Sequence, residues 1–114
     1  LLRITERALV MPLIGSIDSV RAVRIVESLL QAVDAQRADL VIPDITGVPI
    51  VDTQVANVLI QSARAVRLLG ASLVLTGIRP DVAQTLITLG IDLSDIVTRA
   101  DLQAGVRYAL THYG

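Results

Sequence analysis

Leu40-Val41-Ile42-Pro43-Asp44-Ile45-Thr46-Gly47-Val48-Pro49-Ile50-Val51-Asp52-Thr53 is the stretch on which the fold turns. Leu40 to Ile45 is a short apolar run after a polar break and reads as a buried strand. Pro43 cannot donate to a ladder, so it is expected where a neighbouring strand is missing. Thr46 to Val51 form a loop, and Asp52 with Thr53 caps the mouth of a helix. A strand that passes through a polar loop directly into a helix is the repeating unit of an α/β architecture.

Working downstream, that helix runs to about Leu69 and is closed by Gly70. Val55, Leu59, Ala63 and Val66 form its inward stripe, and Gln54, Asn57, Gln61 and Arg64 its outward one. Ser72 to Thr76 is a strand, Gly77 a turn, Pro80 a first helical residue and Gly90 the stop after Leu89. On this helix Asp81, Thr85 and Thr88 share a polar face, while Val82, Leu86 and Leu89 face inward. Ile96 to Thr98 is a brief strand. Thr98 with Asp101 has the spacing of a capping box for a last helix through about His112, weakened by Gly105.

Upstream, Leu1 to Thr5 and Ala8 to Ile14 read as a hairpin, with Pro12 marking an edge or a bulge. Asp18 caps a helix reaching about Ala38, with Val23, Val26, Leu30 and Val33 inward and Arg21, Arg24, Ser28 and Gln31 outward. The expected fold is α/β, a mixed sheet of about five strands with about four helices packed on it.

Composition narrows the function. The chain has 114 residues, one domain's worth, of which 53% are hydrophobic, yet it contains no Phe or Trp and only two Tyr, so Leu, Ile, Val and Ala must fill the core. Ten basic against eleven acidic residues leave a net charge of -1, with no field to attract nucleic acid or anionic lipid. Aromatic platforms for bases are lacking too. Without Cys there is no disulfide framework, and a soluble protein in a reducing cytoplasm is expected. No apolar stretch approaches the roughly 18 residues of a membrane-spanning helix.

Catalytic reagents are scarce. The single His, His112, lies near the C-terminus, and the ligands of a zinc site are lacking. Asp44 and Asp52 leave magnesium open, whereas Gly70 and Gly77 bracket a strand instead of forming a phosphate-binding loop. No cofactor or metal is expected. The notable group is the hydroxyl of Thr53. Phosphate there would add a charge of about -1.5 to -2 beside the free N–H groups of a helix start, which stabilise an anion. It would also sit at one end of the stripe formed by Gln54, Asn57, Gln61 and Arg64. The plainer reading, that Asp52 or Thr53 is simply an N-cap worth about 1 kcal/mol, stays open.

Asp44 through Thr53 resembles the loop signature of STAS domains, the sulfate-transporter and anti-sigma-factor-antagonist family. Gly77-Ile78-Arg79-Pro80-Asp81-Val82-Ala83-Gln84-Thr85, followed by Leu89-Gly90-Ile91, is similar to the stressosome RsbR branch of bacteria. The resemblance implies phosphoacceptors at Thr53 and, within the second segment, Thr85. It implies a partner surface including Asp44, Gly47, Asp52, Gln54, Asn57 and Gln61. It also implies an RsbS-like STAS scaffold partner, an RsbT-like serine/threonine switch kinase, self-association, and a separate N-terminal sensory domain ahead of this one. The chain would be a non-catalytic interaction module. Three alternatives remain: an anti-anti-sigma factor binding an anti-sigma kinase one to one, a transporter appendage, and a small nucleotide- or metal-binding α/β domain using Asp44, Asp52 and Thr53.

Overall fold

The computed structural model describes residues 1–94 and 96–114. Its elements are β1 (Leu2–Arg3), β2 (Ala8–Ile14), α1 (Ser19–Gln36), β3 (Leu40–Gly47), α2 (Thr53–Leu68), β4 (Ser72–Leu75), α3 (Pro80–Thr88), β5 (Val97–Thr98) and α4 (Leu102–Tyr113). The strands form one five-stranded sheet in the order β1-β2-β3-β4-β5, antiparallel at β1 and parallel thereafter. The expected mixed sheet of five strands with four helices is what the chain forms.

Period-2 alternation assigns the two faces of the sheet. Leu9, Leu13, Val41, Ile45, Leu73 and Leu75 join the core built with α1, α2 and α3. The alternate residues Ala8, Val10, Leu40, Ile42 and Val74 form a second cluster with Ala109 of α4, flanked by Tyr108 and Tyr113. No described helix is long and apolar enough to cross a membrane.

Pro12 meets the expectation of a bulge rather than of an edge strand, since β2 lies between β1 and β3. Ala8 O accepts from Ile4 N at 3.0 Å, so even-numbered residues of β2 turn their backbone polar groups toward β1. Pairing with β1 is recorded as far as Val10, and the β2–β3 register shifts between Pro12 and Ile14.

Four local expectations are corrected. Pro43 does not lack a neighbour: it sits in the central strand opposite Met11, and it interrupts the ladder with β4. That ladder pairs Leu40 with Ser72 and Val41 with Leu73, then resumes as a single Asp44–Thr76 bridge. Pro43 O accepts from Thr76 N at 3.1 Å, so only the donor is lost. The buried stripe of α1 is Ala22, Ile25, Leu29, Ala32 and Val33; Val23 is 58% exposed. Leu89 follows the end of α3 and is 46% exposed. The last helix is capped by Asp101, whose carboxylate accepts from Ala104 N at 2.8 Å, and Thr98 belongs to β5.

Candidate functional site

The loop between β3 and α2 is held in three ways. First, Asp44 lies on the α4 side of the sheet, 8% exposed. Its Oδ1 accepts from Thr76 Oγ1 at 2.7 Å and from Thr46 Oγ1 at 3.2 Å. Gly77, at φ 83°, makes that approach possible: a Cβ there would lie 2.8 Å from Asp44 Oδ1 and 2.5 Å from Thr46 N. Second, Val48 and Val51 are buried at 0% and 3% exposure, and Val48 N closes a turn onto Ile45 O at 3.0 Å.

The third restraint is Arg79, whose role the sequence reading missed. Its Nη1 donates to Thr46 O at 2.6 Å and Ile45 O at 3.4 Å, and its Nη2 to Val48 O at 2.7 Å and Pro49 O at 3.3 Å. Nε faces Asp81 Oδ1 at 3.4 Å. One planar guanidinium thus addresses two carbonyls at the end of β3, two of the loop and one carboxylate of α3. A sequence signal was present. Arg79 occupies the N-cap of α3, where Ser, Thr, Asp or Asn is preferred, and makes no side-chain capping bond there.

The loop delivers the chain to the start of α2. Asp52 is the N-cap, its Oδ1 accepting from Val55 N at 3.0 Å. Thr53 is the first helical residue; it is exposed, and its hydroxyl has no hydrogen-bond partner among the described residues. The inward stripe Val55, Leu59, Ala63 and Val66 is buried as expected, and Gln54, Asn57, Gln61 and Arg64 are exposed. Thr53, Gln54, Asn57 and Gln61 line an open groove of about 510 Å³, completed by Val58 and by Ala22 of α1. A groove of about 570 Å³ between β2 and α1, lined in part by Met11, Pro12, Arg21 and Arg24, shares no residue with it.

The structure therefore brings Thr53, Gln54, Asn57 and Gln61 together, with Asp52 beside them in the chain. It does not bring Asp44 or Gly47 into the groove. Asp44 is held in its hydroxyl network, and Gly47 packs against β2, where a Cβ would meet Ile14 Cγ1 at 3.2 Å. Thr85 is exposed on α3, its Oγ1 donating to Asp81 O at 2.9 Å. Asp44 and Asp52 are committed to different partners, and no group of three or more His, Cys, Asp or Glu suited to a metal occurs among the described residues.

This topology and loop can be set beside known proteins. The family model for the STAS domain matches residues 1–104. The chain belongs to the STAS family. As a STAS domain it is 53% identical over 110 residues to the RsbT co-antagonist protein RsbRA of Bacillus subtilis (strain 168). That alignment covers 96% of the chain and 40% of the relative, so the chain spans about two fifths of that protein's length. Among solved structures, RsbS of Moorella thermoacetica carrying a serine-to-glutamate substitution is 33% identical with a TM-score of 0.74, over 90% of this chain and 86% of that one. A chain of the stressosome, described as a signal integration and transduction hub, is 32% identical with a TM-score of 0.68, over 88% and 90%. This STAS domain is thus of the RsbR stressosome type.

Proposed function

We propose that this STAS domain is a non-catalytic docking module of a cytoplasmic stressosome-type scaffold. It binds homologous STAS domains and a serine/threonine switch kinase, which phosphorylates Thr53 and Thr85. The observation that carries this reading is the Thr53 hydroxyl, exposed and without a hydrogen-bond partner among the described residues at the first position of α2, on the lip of a groove lined by uncharged polar side chains and by Ala22 and Val58. Gln54, Asn57 and Gln61 offer hydrogen bonds to a partner there, and Asp44, Gly47 and Asp52 act through the shape of the loop and helix start. The kinase supplies ATP and aligns its terminal phosphate with the hydroxyl. Once transferred, a dianion of about -1.5 to -2 lies against the N–H groups of α2, tolerated by the fold and repelling acidic groups of a bound partner.

The test is to assemble the protein with its STAS scaffold partner, add the kinase and ATP, and map phosphate by mass spectrometry. Phosphate on Thr53 and its loss in Thr53→Ala, with slower release of the kinase, are expected. A kinase active on its scaffold substrate that modifies neither Thr53 nor Thr85 would overturn the assignment.

A further inference from the structure

The Arg79 fork is more elaborate than the packing of α3 requires. A helix that starts with Pro80 and buries Val82 and Leu86 needs no cation bonded to the backbone of another loop. The carbonyls of Ile45, Thr46, Val48 and Pro49 have one feature in common: they lie on the last residues of the central strand and the loop after it, the stretch that leads to Asp52-Thr53. We infer that Arg79 is a positioning residue: it fixes the conformation of residues 45–51, the end of β3 and the loop after it, and thereby sets how readily a kinase engages the Thr53 hydroxyl. The kinase-facing part of this inference rests on the reading of Thr53 as a phosphoacceptor.

Hydrophobic burial alone does not fix this loop. Val48 and Val51 are buried, but Pro49 and Ile50 between them are exposed, Ile50 at 70%. The backbone carbonyls on either side of Gly47 and at Pro49 would otherwise turn to water. A guanidinium presents several N–H groups in a rigid plane and reaches carbonyls of several residues at once; an ammonium is a single flexible point charge. Arg79→Lys therefore keeps the charge and loses the geometry. The side chain is 29% exposed and lies outside the hydrophobic core cluster.

The mechanism has a kinetic signature. If only a fraction of molecules holds the loop in the engaged conformation, apparent affinity falls by that fraction while the bound complex reacts normally. The experiment compares intact wild type with Arg79→Lys and Arg79→Gln by hydrogen exchange and by site-resolved phosphorylation. In both variants the amide of Val48, bonded to Ile45 O at 3.0 Å, should exchange about tenfold faster, with α2 core amides unchanged. KM for phosphate transfer to Thr53 should rise about tenfold at constant kcat, while transfer to Thr85 stays within about twofold.

Loop exchange equal to wild type overturns the inference whatever the kinase does. So does faster exchange with an unchanged KM at Thr53, or an equal loss at Thr85, which would mark a global effect. If wild type takes no phosphate at Thr53, the functional reading falls instead, and the exchange rates alone decide whether Arg79 orders the loop.

Discussion

Asp52 and Thr53 are neighbours with different tasks. The Asp52 carboxylate satisfies Val55 N at 3.0 Å, so the cap belongs to it, and the Thr53 hydroxyl is left without a partner among the described residues. Asp52→Ala should cost about 1 kcal/mol in urea unfolding. Thr53→Ala should stay within about 0.5 kcal/mol. Equal losses would mean that the threonine serves the helix rather than a partner. Sequence reading located this pair but left the cap open between them, because both residue types cap well and only geometry chooses. Arg79 was harder to find. Its loop partners are carbonyls 30 to 34 positions earlier, and a backbone acceptor leaves no mark in residue identity.

Among the elements, α4 shows why a weak helix residue is retained. Gly105 lowers helix propensity, yet a Cβ there would collide with Thr76 Cγ2 and stand 3.6 Å from Ile42 Cγ2, so the glycine lets α4 lie close against the sheet. Gly105→Ala should destabilise by about 1 kcal/mol, since overpacking of about 1–3 kcal/mol outweighs the propensity gain. Thr76→Ser removes the obstructing methyl and keeps the hydroxyl that donates to Asp44, so the double variant should regain stability in urea denaturation. A stabilised Gly105→Ala would contradict this docking. The sequence showed the glycine but not its neighbour, which is 29 residues away across the sheet. In α2 a single apolar stripe stands against a polar one, and its reading was right. In α1 apolar residues cover more than one face, and weighting Val above Ala selected Val23, whereas the buried side uses Ala22 and Ala32. Ala22 borders the α2 groove, where a small side chain permits close approach.

At the scale of the whole molecule, the sheet separates two regions. Thr53 and Thr85 lie on α2 and α3, whose buried sides share one core; α4 packs on the other face. The overall architecture was legible because strand and helix periods alternate cleanly. The placement of Asp44 and Gly47 away from the groove was not, because it depends on which face of β3 each residue takes and on the register with β2.

The distribution of aromatic rings follows the same division. Tyr108 stacks on His112 at 4.2 Å with Arg99 above it at 4.8 Å, and Tyr113 lies under Arg7 at 5.0 Å with its hydroxyl donating to Ser72 Oγ at 3.3 Å. These are the chain's only tyrosines, and it has no tryptophan. Its entire near-ultraviolet signal therefore originates on α4, making the molecule a built-in optical reporter for one face and dark on the other. Phosphorylation of Thr53 should leave the tyrosine circular-dichroism band unchanged, while Gly105→Ala should alter it. A tyrosine band that moves with Thr53 phosphate would mean that the modification is felt through the sheet, on the side where no phosphoacceptor is assigned.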